Sequence, residues 1–347
     1  MKVKLGIICT FILLLMISCK AQHPSYKSVK REMQVYEVPD NRAVIVIDTR
    51  LPRQDNENIF ETIIYRSTDM GKSWQRISES ELNAYYNKFP GKSYLGRHPA
   101  NPKYVYAIAG QGNLPKPEHM EISKDGGLSW QSARAQIIDT TATLGYFDTI
   151  NLHPRELDTI YVAGRIIGNI NVPELHGLYV SHDYGSTFSL IMACNNVVQF
   201  DISHSDPNIM YCNIFHGFLS KSVDSGKSWM LVGPFYNNIE NINNDRMYGR
   251  NNWQDNNNHG ISAIKIHPFK SDIVYALIDN GVWITNDSSH TWRLIKPIER
   301  NDLDTYSMVS LINSKEETLL IACNYGLYAS HDQGKTWSEI ALPLYKR

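Results

Sequence analysis

Residues Tyr328 to Trp337 read YASHDQGKTW, and Tyr65 to Trp74 read YRSTDMGKSW. The shared eight-residue core occurs six times: Ser67–Trp74, Ser123–Trp130, Ser181–Phe188, Ser222–Trp229, Thr285–Trp292 and Ser330–Trp337. Its aspartates, Asp69, Asp125, Asp183, Asp224, Asp287 and Asp332, are 56, 58, 41, 63 and 45 residues apart. A repeat of this period marks an array of similar supersecondary units. The residue types suit a tight hairpin. Ser and Asp accept hydrogen bonds from nearby backbone N–H groups, Gly takes a left-handed dihedral, and the final Thr/Ser-Trp opens a strand with a large aromatic to bury. Two copies depart, with Phe188 in place of Trp and Ser289 in place of Gly.

A second element precedes most copies: His98-Pro99 to Tyr106, His153-Pro154 to Tyr161, His204 to Tyr211, and His267-Pro268 to Tyr275. Proline turns ahead of β-branched and aromatic runs read as strand–turn–strand. Each histidine belongs to its own unit, so the four read as turn residues rather than as one metal site. Each unit then holds four strands. For the fifth they fall at Ile261–Ile266, Ile273–Ile278, Gly281–Ile284 and Trp292–Ile295. The first unit begins at Met33–Val38 and the last ends at Ile340. The expected fold is an all-β, six-bladed β-propeller of four-stranded antiparallel blades. A seventh blade calls for another copy of the motif, and the chain has none.

The motif resembles the Asp-box (BNR) repeat of sialidases, sortilins and xyloglucanases, over roughly residues 33 to 342. The His-Pro form resembles the sortilin and xyloglucanase branch. The resemblance implies a propeller that binds or processes ligands on one face, and topology says which. With strands running alternately, the first–second and third–fourth turns share one end of the propeller. The His-Pro turns and the Asp-boxes therefore lie together, and the irregular loops lie at the other end, where function is usually carried. Those loops include Asp48–Phe60, Gly110–His119, Gly164–His176, Ser78–Tyr94, Arg134–Gly145 and Gly233–Gly260. The last holds ten Asn together with Tyr236, Arg246, Arg250, Trp253, Asp255 and His259. Amides and guanidinium groups bind hydroxyls and rings stack on apolar faces, so these residues, with Arg50, Arg53 and Arg165, are the ligand-binding candidates.

The sialidase resemblance places an acid/base Asp at Asp55 and a nucleophilic Tyr at Tyr306, within TYSMVSLI. Other positions depart. Glu37-Val38-Pro39 stands where the family has Arg-Ile-Pro, so an anion replaces the cation that pairs with a substrate carboxylate. The segment Asn195 to Phe215 lacks the family's Glu and Arg. A tyrosine with no activating partner is a poor nucleophile. A classical sialidase is disfavoured. A glycan- or protein-binding propeller leads, with a glycoside hydrolase or polysaccharide lyase and an assembly-factor scaffold as alternatives.

The rest of the chain bounds the setting. Its 347 residues are 42% hydrophobic with a net charge of −1, which offers no basic field for nucleic acid. Lys2 and Lys4 precede the apolar run Leu5–Ile17 and then Ser18-Cys19. That reads as an export signal over residues 1–18, too short to span a membrane. The ending MISC resembles a lipobox with Cys19 as the lipidated residue, followed by a linker to residue 32 and the propeller from 33 to 347. The expectation is a monomer anchored in a bacterial cell envelope, on its periplasmic face or at the cell surface, touching membrane only through the lipid. No motif calls for a cofactor or a metal.

Overall fold

The computed structural model describes residues 31–38, 43–50, 61–81, 92–109, 119–133, 135–138, 143–167, 176–193, 199–214, 218–233, 261–278, 281–297, 307–312, 317–323 and 326–342. Among them are six sheets. The first orders β1 (Arg31–Val38), β2 (Ala43–Arg50), β3 (Glu61–Ser67) and β4 (Gln75–Ile77); the second orders β5 (Lys92–His98), β6 (Asn101–Ala109), β7 (His119–Ser123) and β8 (Gln131–Ser132). After a short β9 (Gln136–Ile137), the third holds β10 (Thr143–Leu152), β11 (Ile160–Ile167), β12 (His176–Ser181) and β13 (Thr187–Ala193). The fourth is β14 (Phe200–Ile202), β15 (Met210–Ile214), β16 (Phe218–Ser222) and β17 (Met230–Val232); the fifth is β18 (Ile261–Ile266), β19 (Val274–Ile278), β20 (Gly281–Thr285) and β21 (Arg293–Pro297). The sixth is β22 (Ser307–Ile312), β23 (Glu317–Cys323), β24 (Gly326–Ser330) and β25 (Ser338–Ile340). Within each of these sets of four, successive strands pair antiparallel. The protein is a β-propeller.

Its core lies between blades, and strand period explains why. Successive side chains point to opposite faces of a sheet. In β23, Leu319 and Ile321 pack on the fifth blade, whereas Leu320 and Ala322 pack on the first. In β11, Ile160 and Val162 face the second blade, and Tyr161 and Ala163 face the fourth. A strand buried on both faces has to be apolar throughout, which is why IYVAG and VYALI do not alternate. The cluster of Val46, Ile63 and Tyr65 with Leu320, Leu327 and Ala329 packs the first blade on the last.

The six Asp-boxes are one structure repeated. In the first, Ser67 Oγ donates to Asp69 Oδ1 at 2.8 Å and accepts from Gly71 N at 2.8 Å. Asp69 then accepts from Ser73 N at 2.9 Å and from the Ser73 hydroxyl. Asp125, Asp183, Asp224, Asp287 and Asp332 repeat these bonds. Hydrogen bonds to a carboxylate favour its charged form. The hydroxyls of Ser228, Thr291 and Thr336, followed by the amides of the same residues, hold Asp224, Asp287 and Asp332 at about 2. The indoles of Trp74, Trp130, Trp229 and Trp337 close the turn by donating to the carbonyls of Gly71, Gly127, Gly226 and Gly334, at 2.9 to 3.1 Å.

Box three shows how the Phe substitution is accommodated. The Phe188 ring has no N–H to give, and it is fully buried. Ala135 N donates to Gly185 O at 3.0 Å instead, and Ile138 N donates to Phe188 O. The segment that carries them is β9, which pairs in parallel with β13 and by one residue pair with β10. Arg134–Gly145 reads as a loop in the sequence. The structure puts a strand there, because an unpaired carbonyl and a bare aromatic beside β13 are covered by chain from the preceding connection. Ser78–Tyr94 is also not all loop, since Ser78 and Glu81 bond reciprocally in a capping box at the start of a helical turn.

The His-Pro turns carry a second correction. Nδ1 of His98, His153 and His267 accepts backbone N–H from Ala100, Glu156 and Phe269, at 3.1, 2.9 and 3.1 Å. In the fourth blade the equivalent residue is Ser203, not His204. Ser203 N donates to Ile209 O as His153 N does to Thr159 O, and Ser203 Oγ accepts from Asp206 N at 3.1 Å. The turn asks only for an acceptor at this position, and a hydroxyl meets that need. Burial holds all three histidines below their ordinary pKa.

Two outcomes follow for stability. The unfolded chain takes up protons on histidine below about pH 6.5 and on aspartate below about pH 4 before the folded chain does. Stability is then complete above neutrality, declines as pH falls below about 6.5, and falls steeply from about pH 4 towards 2. Melting temperatures from pH 2 to 8 test this, and a maximum near pH 5 contradicts it. Gly334, at φ +77°, offers a Cβ only 2.2 Å from Ile295 Cδ1, whereas a Cβ on Gly126, at φ +81°, meets nothing closer than 3.9 Å. Gly126→Ala is expected to cost about 1 kcal/mol, for the left-handed backbone alone. Gly334→Ala adds overpacking and is expected to cost about 2–3 kcal/mol. Urea denaturation of both variants measures the difference.

Candidate functional site

Most of the polar chemistry at the box end of the propeller is already committed. Boxes bond to the first–second turns of their own blades: Gly126 N to Lys103 O, Tyr184 N to Asp158 O, Ser225 N to Asn208 O and Ser288 N to Asp272 O, at 2.8 to 3.1 Å. The two turn types therefore share one end, as strand alternation requires. The tyrosine of the second strand reaches the next blade there. Tyr106 Oη donates to Leu157 O at 2.7 Å, Tyr211 Oη meets Ser289 Oγ at 2.6 Å, and Tyr275 Oη donates to Glu317. Glu317 Oε2 also accepts from Gln333 Nε2 at 3.0 Å and lies 3.7 Å from His267 Nε2. Burial pushes the phenols up, those of Tyr161 and Tyr211 to about 12. A phenol held protonated at neutral pH is a donor and a pin, not a nucleophile.

A groove of about 490 Å³ follows the seam between blades six and one, lined by Lys72, Trp74, Ala329, His331 and Ile340. It sits at the box end, where Trp74 packs against the cluster joining these blades. Further seams are stitched by residues that the sequence reading did not single out. Asn151 Nδ2 donates to Phe200 O, Asn213 Nδ2 donates to Ile261 O, and Asp201 Oδ2 accepts from Ile266 N, at 2.7 to 3.0 Å. Their signal is faint, since a polar residue inside an apolar strand is legible but its partner is not. Cys212 is a buried thiol in the seam between blades three and four, packed there as a small apolar residue.

The loop end is where the sequence places a ligand. Arg50 is the last residue of β2, opposite Glu61, and Arg165 stands near the end of β11, between Tyr146 and His176. β2 and β11 are the second strands of their blades, so both arginines belong to the loop end. Asp55, Arg53, Tyr306, Tyr236, Arg246, Arg250, Trp253, Asp255, His259 and Cys19 lie outside the described residues. Among the described residues no group of three or more His, Cys, Asp or Glu is arranged to hold a metal ion, and no helix is long and apolar enough to cross a membrane.

Known proteins resemble the chain in three ways. A vacuolar protein sorting/targeting protein 10 from Emericella nidulans is 31% identical over 110 residues, which cover 28% of this chain and 6% of that protein. Among solved structures, the Niastella koreensis GH74 enzyme matches at TM-score 0.46 and 15% identity, covering 87% of this chain and 45% of its own. A nidogen/laminin complex matches at TM-score 0.48 and 12% identity, covering 90% of this chain and 94% of that one. The chain thus spans well under half the length of the curated relative. A BNR/Asp-box repeat matches residues 328–339, the last box. The family model described as sortilin, neurotensin receptor 3, matches residues 62–249. That is more than half of the sequence, and the protein belongs to the Sortilin-Vps10 family.

Proposed function

We propose that the protein is a binding propeller, exported and anchored to a bacterial cell envelope through Cys19, that takes a protein or glycan partner on its loop-rich end. The observation that carries this is the division of labour between the two ends. All six box carboxylates bond to their own turns, and the three turn histidines accept backbone N–H groups. Arg50 and Arg165 stand at the opposite ends of equivalent strands. The connections with no counterpart in other blades, above all Gly233–Gly260 with its ten Asn, leave from that same end. Family relatives are described as a receptor and as a protein-sorting protein, which supports a protein partner ahead of a glycan.

A hydrolase on the same end is the second reading. The connection bearing Asp55 follows β2, and Tyr306 directly precedes β22, in the first and last blades, whose strands β1 and β22 are neighbours. A glycosidase needs a carboxylate pair across its substrate, and Asp55 is the first residue to examine.

Three measurements test this. Replacing residues 234–259 by a short Gly/Ser linker is expected to abolish capture from peptide and glycan arrays while leaving the melting temperature within a few degrees. Arg165→Ala is expected to weaken capture about tenfold. Sugar release that disappears in Asp55→Ala moves the assignment to the hydrolase. Cys19→Ala is expected to abolish incorporation of labelled fatty acid and to release the chain from membranes, and a membrane-bound Cys19→Ala variant refutes the lipid anchor.

A further inference from the structure

Two departures from the repeat meet at one seam, between blades four and five. The first is Lys221, which directly precedes the box serine in β16. The corresponding residues are Ile122, Val180, Ile284 and Ala329, each buried in the cluster facing the next blade. The first blade has Arg66, which is half-buried. Lys221 is only 7% exposed, a cation at a position that is elsewhere apolar. Its ammonium donates to Ser288 O at 2.8 Å and stands 5.7 Å from the centre of the Tyr211 ring. Among the described residues it has no carboxylate partner. A buried charge is ordinarily paired, because taking it out of water is costly. One carbonyl occupies one of its three N–H donors.

The second departure is box five. Ser289 holds φ at +77°, where the other boxes have Gly. Its hydroxyl meets Tyr211 Oη at 2.6 Å, and Tyr211 is Lys221's cross-strand partner. Four other boxes tie their tryptophan indole to the Gly carbonyl, but Trp292 Nε1 is buried with no partner. Trp292 packs on the cluster that contains Tyr211. Strain held at a non-Gly residue and an orphaned buried donor both mark a place kept for something other than stability. Met230, half exposed, is Lys221's partner on the outer strand, so the ammonium lies one strand in from the rim.

An ammonium with no carboxylate partner, an indole N–H with no partner and a hydroxyl pair belong to this one seam, and the nearby Asp287 carboxylate is taken up by Thr285 and Thr291. We propose that this seam is an oxyanion-binding site, taking a carboxylate or a phosphate group. Lys221 supplies the counter-charge, and Trp292 Nε1 and the Ser289 hydroxyl supply neutral hydrogen bonds. Burial already holds the lysine below its ordinary pKa, and an anion beside it restores the charged form. The site is at the box end, separate from the loop end, and stands or falls independently of the partner proposed there.

The test uses the full chain and its seven tryptophans, whose indole N–H resonances NMR resolves. Sodium acetate and sodium phosphate are titrated at constant ionic strength against chloride, and Trp292→Phe identifies the relevant peak. The Trp292 resonance is expected to shift saturably with at least one of the two anions. The tighter anion tells a carboxylate ligand from a phosphate one. Affinity is expected to fall at least tenfold in Lys221→Met, to stay within about threefold in Lys221→Arg, and to weaken in Ser289→Gly. If Lys221→Met does not fold, Lys221→Arg and Ser289→Gly carry the comparison. A Trp292 resonance that neither anion moves, or equal affinity in Ser289→Gly and Lys221→Met, overturns the proposal.

Discussion

The hydrogen bonds that one aspartate side chain accepts from the amide and hydroxyl four residues further on fix every blade of this molecule. In every box that carboxylate fixes a left-handed turn between the third and fourth strands. Fixing the turn sets the direction of the outer strand, and in boxes one, three, four, five and six the closing aromatic packs on the seam with the preceding blade. The bonds are local and charge-assisted, which makes them strong for their size and independent of what the neighbouring blade supplies. The seams are the opposite case. They consist of apolar side chains divided by strand period between two neighbours, with tyrosine hydroxyls as the polar pins.

The two imperfect boxes show what a repeat tolerates. Losing the indole at Phe188 leaves a carbonyl short of a donor, and the chain returns as β9 to supply one. Ser289 carries backbone strain where the other boxes have glycine, Trp292 in the same box has an unpaired indole, and nothing in the described chain supplies that donor with a partner. One departure is compensated and the other is not. In a minimally frustrated fold an uncompensated departure points to function rather than to drift.

Much of the fold is legible before any coordinates. The strands read for the fifth unit, from Ile261 to Ile295, fall within two residues of the observed ones at each boundary. The shared end of boxes and His-Pro turns also follows from strand alternation alone. His204 misleads for a plain reason: the turn position needs only an acceptor, and Ser203 fills it beside a histidine that looks like the repeat's own. The error at Arg134–Gly145 has another, since β9 is two residues long and pairs with strands of a different blade. A lone lysine in a strand reads as exposed, and only the seam makes Lys221 a buried charge.

By itself the sequence determined everything held within one motif: the box turns, the four-strand unit, and the end of the propeller at which each turn lies. These depend on hydrogen bonds spanning two to four residues and on a side-chain period of two, which are properties of the chain alone. Only the tertiary structure decided which side chains share a seam. Tyr211 and Ser289 are 78 residues apart, and Lys221 and Ser288 are 67 apart. No local preference brings them together. They meet because closing the ring presses one blade's second and third strands against the next blade's box, and there a buried charge acquires its meaning.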